Sequence, residues 1–158
     1  MAETTMNLTA QQHLQCGKAL FNFTWTLLEK ADRTEDESEV MVKAAHASAL
    51  HWLQVGKPVN FARSEWQISR VYGVLNRAEG ALHHGQRCLQ ICEDHGVGDF
   101  DLAFAYEALA RAHAVAGNRA EIKRFLDGAR EAGTRIADAH DREHLFNDLH
   151  TVPGYEEA

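Results

Sequence analysis

The tetrapeptide Asn-Arg-Ala-Glu occurs twice in the chain, at 76–79 and at 118–121, each time at a predicted turn between two helices. The residues around the two copies also correspond, with a slip of one residue at the turn. The matched pairs are Arg70 and Arg111, Ile68 and Leu109, Ser69 and Ala110, Ala81 and Ile122, and Cys88 and Ala129. Large and small apolar residues that recur in one register indicate a helical repeat, in which each unit buries its apolar face by stacking on the next.

Apolar spacing and the positions of helix breakers predict about seven helices and an all-α fold of stacked antiparallel helical hairpins. We place six of them at about 9–30, 37–55, 60–75, 78–94, 119–137 and 138–149, and the fifth from just after Asp99 or Asp101 to 116. Thr9, Asn60 and Asp138 are the predicted N-caps, and Gly117 is predicted to end the fifth helix. We expect one domain over 1–150 and a flexible C-terminal tail at 151–158. The predicted core consists of Leu20, Trp25, Trp52, Ile68, Tyr72, Leu75, Leu89, Leu109 and Leu126.

The part of the chain from about residue 62 to 132 resembles the tetratricopeptide family. The matching residues of the first unit are Trp66 (one place late), Ile68-Ser69, Tyr72, Ala81 and Cys88, and those of the second are Tyr106, Leu109-Ala110, Gly117 and Ala129. The chain departs from the family pattern at His113, which replaces an aromatic residue, at Asn76, which replaces Gly, and in the longer connection at 93–101. The resemblance implies a right-handed α–α superhelix in which the first helix of each hairpin lines a concave groove.

Two predicted helices carry charged and aromatic residues at positions where packing residues are expected: Arg63, Trp66 and Arg70 on the third, and Phe104, Glu107 and Arg111 on the fifth. Each set falls on one helical stripe, and the resemblance implies that both stripes face the groove. Arginine offers a planar fork for carboxylate or phosphate groups, and the aromatic rings offer flat apolar faces. We therefore expect a protein-interaction module that binds a peptide or protein tail, with an acidic group or C-terminal carboxylate as the recognised feature. In a second interpretation, Glu107 pairs with Arg70 or Arg111 and only joins neighbouring hairpins.

The charge and the cysteines restrict the class of partner and the compartment. A net charge of −7 argues against a general nucleic-acid binder, which needs a basic face. No stretch approaches the roughly 18 apolar residues of a membrane span, and the first residues do not read as a secretory signal. The three cysteines, Cys16, Cys88 and Cys92, show no paired framework. We expect a cytoplasmic protein that contacts neither membrane nor nucleic acid.

No sequence motif of a known enzyme class is present, and we predict no cofactor. His140 and His144 are spaced i,i+4, and together with His46 they faintly resemble the DinB-type helical bundles, in which three histidines from separate helices hold one metal. The other interpretation of these residues is surface histidines, and Cys88 and Cys92 read as buried, inert thiols. A small-molecule or metal-dependent enzyme with a site between helices is therefore one alternative to the interaction module. A structural homo-oligomer is another.

Overall fold

A computed structural model of the chain describes residues 6–157, and every secondary-structure element in that range is helical. The elements are α1 (Ala10–Leu28), α2 (Glu35–Val55), α3 (Pro58–Val74), α4 (Ala78–His95), α5 (Asp99–Ala116), α6 (Arg119–Thr134), α7 (Ala139–Leu149) and a final 3-10 turn (Tyr155–Glu157). The prediction of an all-α fold with about seven helices is confirmed. The first five residues of the predicted domain, and Ala158 of the predicted tail, lie outside the described residues.

The helix ends follow local capping signals, with two corrections. Thr9 caps α1, and Asp138 caps α7 by accepting the backbone N–H of Asp141 at 2.9 Å. Asn60 does not cap α3, because the helix already begins at Pro58, whose fixed φ suits the first helical position. The Asn60 side chain instead accepts the backbone N–H of Lys57 at 2.9 Å. α6 ends at Thr134, before the predicted 137.

The two Asn-Arg-Ala-Glu turns use their asparagines differently. Asn76 follows α3 with a φ of 57°, and Gly117 follows α5 with a φ of 74°, so these two residues hold the same left-handed position. In both turns the next backbone N–H bonds back to the last turn of the helix. Asn118, by contrast, is the N-cap of α6. The structural match of Asn76 with Gly117 accounts for the slip of one residue between the two copies.

Consecutive helices pack as hairpins. The most extensive contacts join α1 with α2, α3 with α4, and α5 with α6. α3 also contacts both α1 and α5, while α7 packs on α5 and α6. Small residues allow close approach at these contacts: a Cβ on Gly85 of α4 would lie 3.2 Å from the side chains of Ser69 and Leu109. The result is a stack whose first helices α1, α3 and α5 are neighbours, with α7 added at one end.

Two groups of buried apolar side chains fill the stack. The smaller group joins α1, α2 and α3 around Met41 and Ile68, and the larger joins α3 to α7 around Leu109 and Leu126. The larger group also includes Val152, which is buried, and Tyr155 packs against it. Part of the segment at 151–158, which its Pro and Gly predict to be a flexible tail, therefore packs on the domain, because these two apolar side chains pack with the larger buried group.

Candidate functional site

Aromatic side chains of α1, α3 and α5 surround an open pocket of about 370 Å³, which we call the aromatic pocket. The five rings are Phe21 and Trp25 from α1, Trp66 from α3, and Phe100 and Phe104 from α5. Phe104 is buried, and the other four rings are half-buried. The first helices of the three hairpins are neighbours, so their side chains converge here. The pocket is an apolar surface that the fold builds but leaves partly uncovered.

The rings pack against one another in a continuous wall. The ring centroid of Trp66 lies 5.5 Å from that of Trp25 and 5.7 Å from that of Phe104, and the planes of Trp66 and Phe104 are nearly perpendicular, at 88°. Phe100 extends the wall, with its centroid 4.5 Å from Phe104. His144 of α7 covers Phe104 at 5.5 Å. Tilted and edge-to-face contacts of this kind are favourable for aromatic rings, so the wall is preformed.

Charged groups line one side of the aromatic pocket. Nε and Nη2 of Arg63 donate to the two carboxylate oxygens of Asp101 at 2.7 and 3.0 Å. The Arg63 side chain is 52% exposed, whereas that of Asp101 is 13% exposed. The hydrogen bonds to Asp101 raise the pKa of Arg63; burial opposes this, and the charges of Asp101 and of Asp141 on α7 add to it. The pocket thus carries one guanidinium and two carboxylates.

The other charged residues of the predicted stripes, Arg70, Glu107 and Arg111, form a closed cluster with Asp148 beside the pocket, which we call the ion-pair cluster. Oε1 of Glu107, whose side chain is fully buried, accepts from Arg70 at 3.0 Å and from Arg111 at 2.6 Å. Asp148 of α7 accepts from Arg70 at 3.2 Å and lies 3.7 Å from Arg111. Burial by itself lowers the pKa of Arg70, but Glu107 and Asp148 outweigh it and the net pKa is raised. Two guanidiniums and two carboxylates neutralise one another.

The structure therefore divides the predicted groove into two parts. Arg63, Trp66 and Phe104 line the aromatic pocket, whereas the other three predicted residues belong to the ion-pair cluster. Trp66 contacts both parts, because its Nε1 donates to Oε2 of Glu107 at 3.3 Å. This geometry matches the interpretation in which Glu107 joins neighbouring hairpins, and it leaves Arg63 as the most exposed of the three arginines.

Three aromatic and two acidic lining residues were not among the predicted site residues: Phe21, Trp25, Phe100, Asp101 and Asp141. Phe100 and Phe104 are spaced i,i+4 on α5, and this spacing was a signal available in the sequence. Trp25 read as core because it belongs to the apolar stripe of α1. No local pattern indicates that Asp141 approaches the pocket, because its position depends on how α7 docks.

The three histidines of the metal alternative are in separate surroundings. Nε2 of His46 lies 3.0 Å from the hydroxyl of Tyr72, His144 packs on the aromatic wall, and His140 is exposed. Within residues 6–157, no group of three or more His, Cys, Asp or Glu side chains is arranged to hold a metal ion. Burial, followed by the charge of nearby His84, lowers the pKa of His46.

Two of the three cysteines lie on α4 behind the pocket. Cys88 and Cys92 are both buried and free, and Cys88 lines the pocket floor. The hydrogen bond between the two sulfur groups, followed by burial, raises the pKa of Cys88 well above its ordinary value. A raised pKa keeps this thiol protonated and weakly nucleophilic at neutral pH.

No protein-family model matches the chain, and the comparisons with curated proteins and with solved structures give no significant match. In the part of the chain that the structure describes, no helix combines the length and the apolar character needed to cross a membrane.

Proposed function

We propose that the chain is a protein-interaction module, a tetratricopeptide-like stack that binds a segment of a partner protein in the aromatic pocket. The observation that supports this most directly is the convergence of five aromatic rings from three helices on an open pocket rather than on the interior of the core. Exposed apolar surface that is rimmed by charged groups is typical of interaction sites. Aromatic residues are also enriched in protein interfaces, and Trp is among the residues that most often dominate binding energy.

The aromatic pocket continues into a second pocket of about 390 Å³. The two share Phe21 and Arg63. The second is also lined by Trp52, by the charged side chain of Lys18 and by the polar side chains of Asn22 and Asn60. Together they form a groove along α1 and α3. Asparagine side chains donate and accept hydrogen bonds, which suits the backbone of an extended segment. A groove with an apolar pocket at one end and polar groups at the other fits a peptide better than a compact ligand.

The repeat and the cysteines support the same proposal. The left-handed turns after α3 and α5 hold equivalent positions, as expected of a tetratricopeptide-like repeat whose first helices line a binding groove. All three cysteines are free, which suits a reducing compartment, so the proposal places the module in the cytoplasm.

A free small molecule is the second candidate ligand. The observation that favours it is the volume of the aromatic pocket, about 370 Å³, which falls in the range of roughly 300–1,000 Å³ common for small-molecule sites. A fragment screen run beside the peptide experiment separates the two candidates. Fragments that bind while no peptide does would favour the small molecule.

The proposed function is tested by selecting binders from a random peptide library and measuring their affinity for two matched variants. Phe21→Ala removes a ring from the shared wall of both pockets, whereas Phe23→Ala removes a ring that is 44% exposed on the same helix. We expect Phe21→Ala to weaken selected peptides about tenfold and Phe23→Ala to change them less than about twofold. Thermal melting checks that both variants are folded. Equal effects of the two variants, or no enriched peptide, would overturn the proposal.

A further inference from the structure

We propose that the aromatic pocket receives a positively charged side chain, that of lysine or arginine, from the partner segment. This inference rests on the proposed function and specifies the chemistry of its ligand. It replaces the acidic group expected from the sequence, because that expectation required arginines free to receive a carboxylate. Two of the three arginines are instead held by Glu107 and Asp148 in the ion-pair cluster.

The charge of the pocket favours a cation. Its lining contains the guanidinium of Arg63 and the carboxylates of Asp101 and Asp141. Asp101 holds Arg63 through two hydrogen bonds, so this pair is already neutral. Asp141 then leaves the pocket with a negative charge. An incoming carboxylate would meet two carboxylates and an arginine that is already engaged, whereas an incoming cation would meet Asp141 without displacing any bond of Arg63 to Asp101.

The aromatic wall favours a cation as well. Indole and phenyl rings carry negative charge on their faces and attract ammonium or guanidinium groups within about 6 Å, with Trp the strongest. Trp25 and Trp66 are half-buried, so each still presents surface to the pocket. Their ring centroids lie 5.5 Å apart, so one cation can contact both rings. The methylene stem of a lysine or arginine would pack on the same rings.

The net charge of the whole chain acts in the same direction at longer range. A net charge of −7 attracts basic segments and repels acidic ones before contact is made. The aromatic rings, the carboxylates and the net charge all select a basic segment.

Four peptides that differ at one position test this inference. Each is a capped pentapeptide of alanines whose central residue is lysine, trimethyl-lysine, norleucine or glutamate. Norleucine matches the apolar stem of lysine without its charge. Binding is followed through the fluorescence of the tryptophans, two of which line the pocket. We expect the lysine and trimethyl-lysine peptides to bind at least about fivefold more tightly than the norleucine peptide, and the glutamate peptide to bind most weakly.

Two variants test whether the preference for lysine over norleucine arises from the charge of the pocket. Asp141→Asn removes one negative charge from the pocket lining, and Asp127→Asn removes the same charge from an exposed site on α6. We expect Asp141→Asn to reduce the preference for lysine over norleucine at least about threefold and Asp127→Asn to leave it unchanged. If Asp141→Asn fails to fold, salt titration of the unmodified protein serves instead: roughly 0.5 M salt should reduce the preference for lysine.

The outcomes separate this inference from the proposed function. Norleucine or glutamate binding as tightly as lysine, with binding lost in Phe21→Ala, would overturn the inference but support a peptide groove. Equal effects of Asp141→Asn and Asp127→Asn would also overturn it. Choline, a free quaternary ammonium ion, serves as a fifth probe. If choline binds the protein but no peptide does, both the assignment of the ligand to a partner side chain and the proposed interaction module are overturned.

Discussion

The most demanding test of the ion-pair cluster is the replacement of Glu107 by alanine. Its carboxylate is fully buried and accepts hydrogen bonds from Arg70 at 3.0 Å, Arg111 at 2.6 Å and Trp66 at 3.3 Å. Removing it leaves two guanidiniums, 18% and 14% exposed, with Asp148 as their remaining carboxylate in the cluster. Breaking a buried pair by removing one partner costs about 3–5 kcal/mol, because the remaining charge is poorly solvated. We expect Glu107→Ala to lower the free energy of unfolding by that amount, a large part of the total stability of a domain.

The cluster also predicts how its members combine. Arg111→Ala removes the bond to Glu107 and a bond of 2.9 Å to the hydroxyl of Thr151, but it leaves Glu107 paired with Arg70. The double variant Glu107→Ala/Arg111→Ala leaves Arg70 balanced by Asp148. Its cost should therefore be smaller than the sum of the single costs, by about 1–3 kcal/mol.

Urea unfolding followed by circular dichroism measures these free energies. Glu39→Ala is the matched control, because Glu39 forms an exposed ion pair with Arg77 and its loss should cost less than about 1 kcal/mol. A cost for Glu107→Ala close to that of Glu39→Ala would refute the buried network. So would single costs that simply add in the double variant.

Three further predictions concern packing, pH and metal. Gly80→Ala should destabilise the fold, because the added Cβ would lie 2.6 Å from the ring of Tyr72. Gly73→Ala, whose Cβ would meet open space, should stabilise the fold by about 0.5–1 kcal/mol. The urea midpoints of the two variants measure both effects, and a higher midpoint in both would show that the Tyr72 ring moves freely. Burial lowers the pKa of His46 and His113, so the folded protein binds fewer protons than the unfolded chain. The free energy of unfolding should therefore be highest above about pH 7 and should fall as the pH drops below about 6.5. Urea midpoints that do not change from pH 8 to pH 5 would contradict this. A strong chelator should leave the thermal midpoint unchanged, and a fall of several degrees would reveal a metal that supports the fold.

The helices could be predicted from the sequence where a local signal decides their ends. Thr9, Asp138 and Gly117 act through their own side chain or backbone conformation, and all three hold their predicted places. The start of α3 was misplaced because two signals compete within a few residues: Asn60 is a good cap, but Pro58 is a better first helical residue.

The site could be predicted only in part, because hydrophobic spacing does not show which apolar face remains uncovered. Trp25 lies on the apolar stripe of α1 and was assigned to the core, but its ring lines the pocket. The pairing of Arg70 with Asp148 could not be predicted either. Asp148 lies 78 residues further along the chain, and no spacing rule connects residues so far apart in sequence. The carboxylates that α7 contributes, Asp141 to the pocket and Asp148 to the cluster, can therefore be assigned only once the docked position of α7 is known.

The position of α7 also determines when the site is completed during synthesis. The chain emerges from the ribosome with its N-terminus first, so α1 to α6 can stack before α7 has been made. At that stage the nascent protein has its aromatic wall but lacks His144 and Asp141, and Arg70 and Arg111 lack Asp148. Once residues 139–149 have emerged and folded as α7, they add His144 and Asp141 to the pocket and bring Asp148 to the two arginines. Until α7 docks, the nascent chain therefore lacks the carboxylates of Asp141 and Asp148 at this site and presents a more basic surface there than the finished protein.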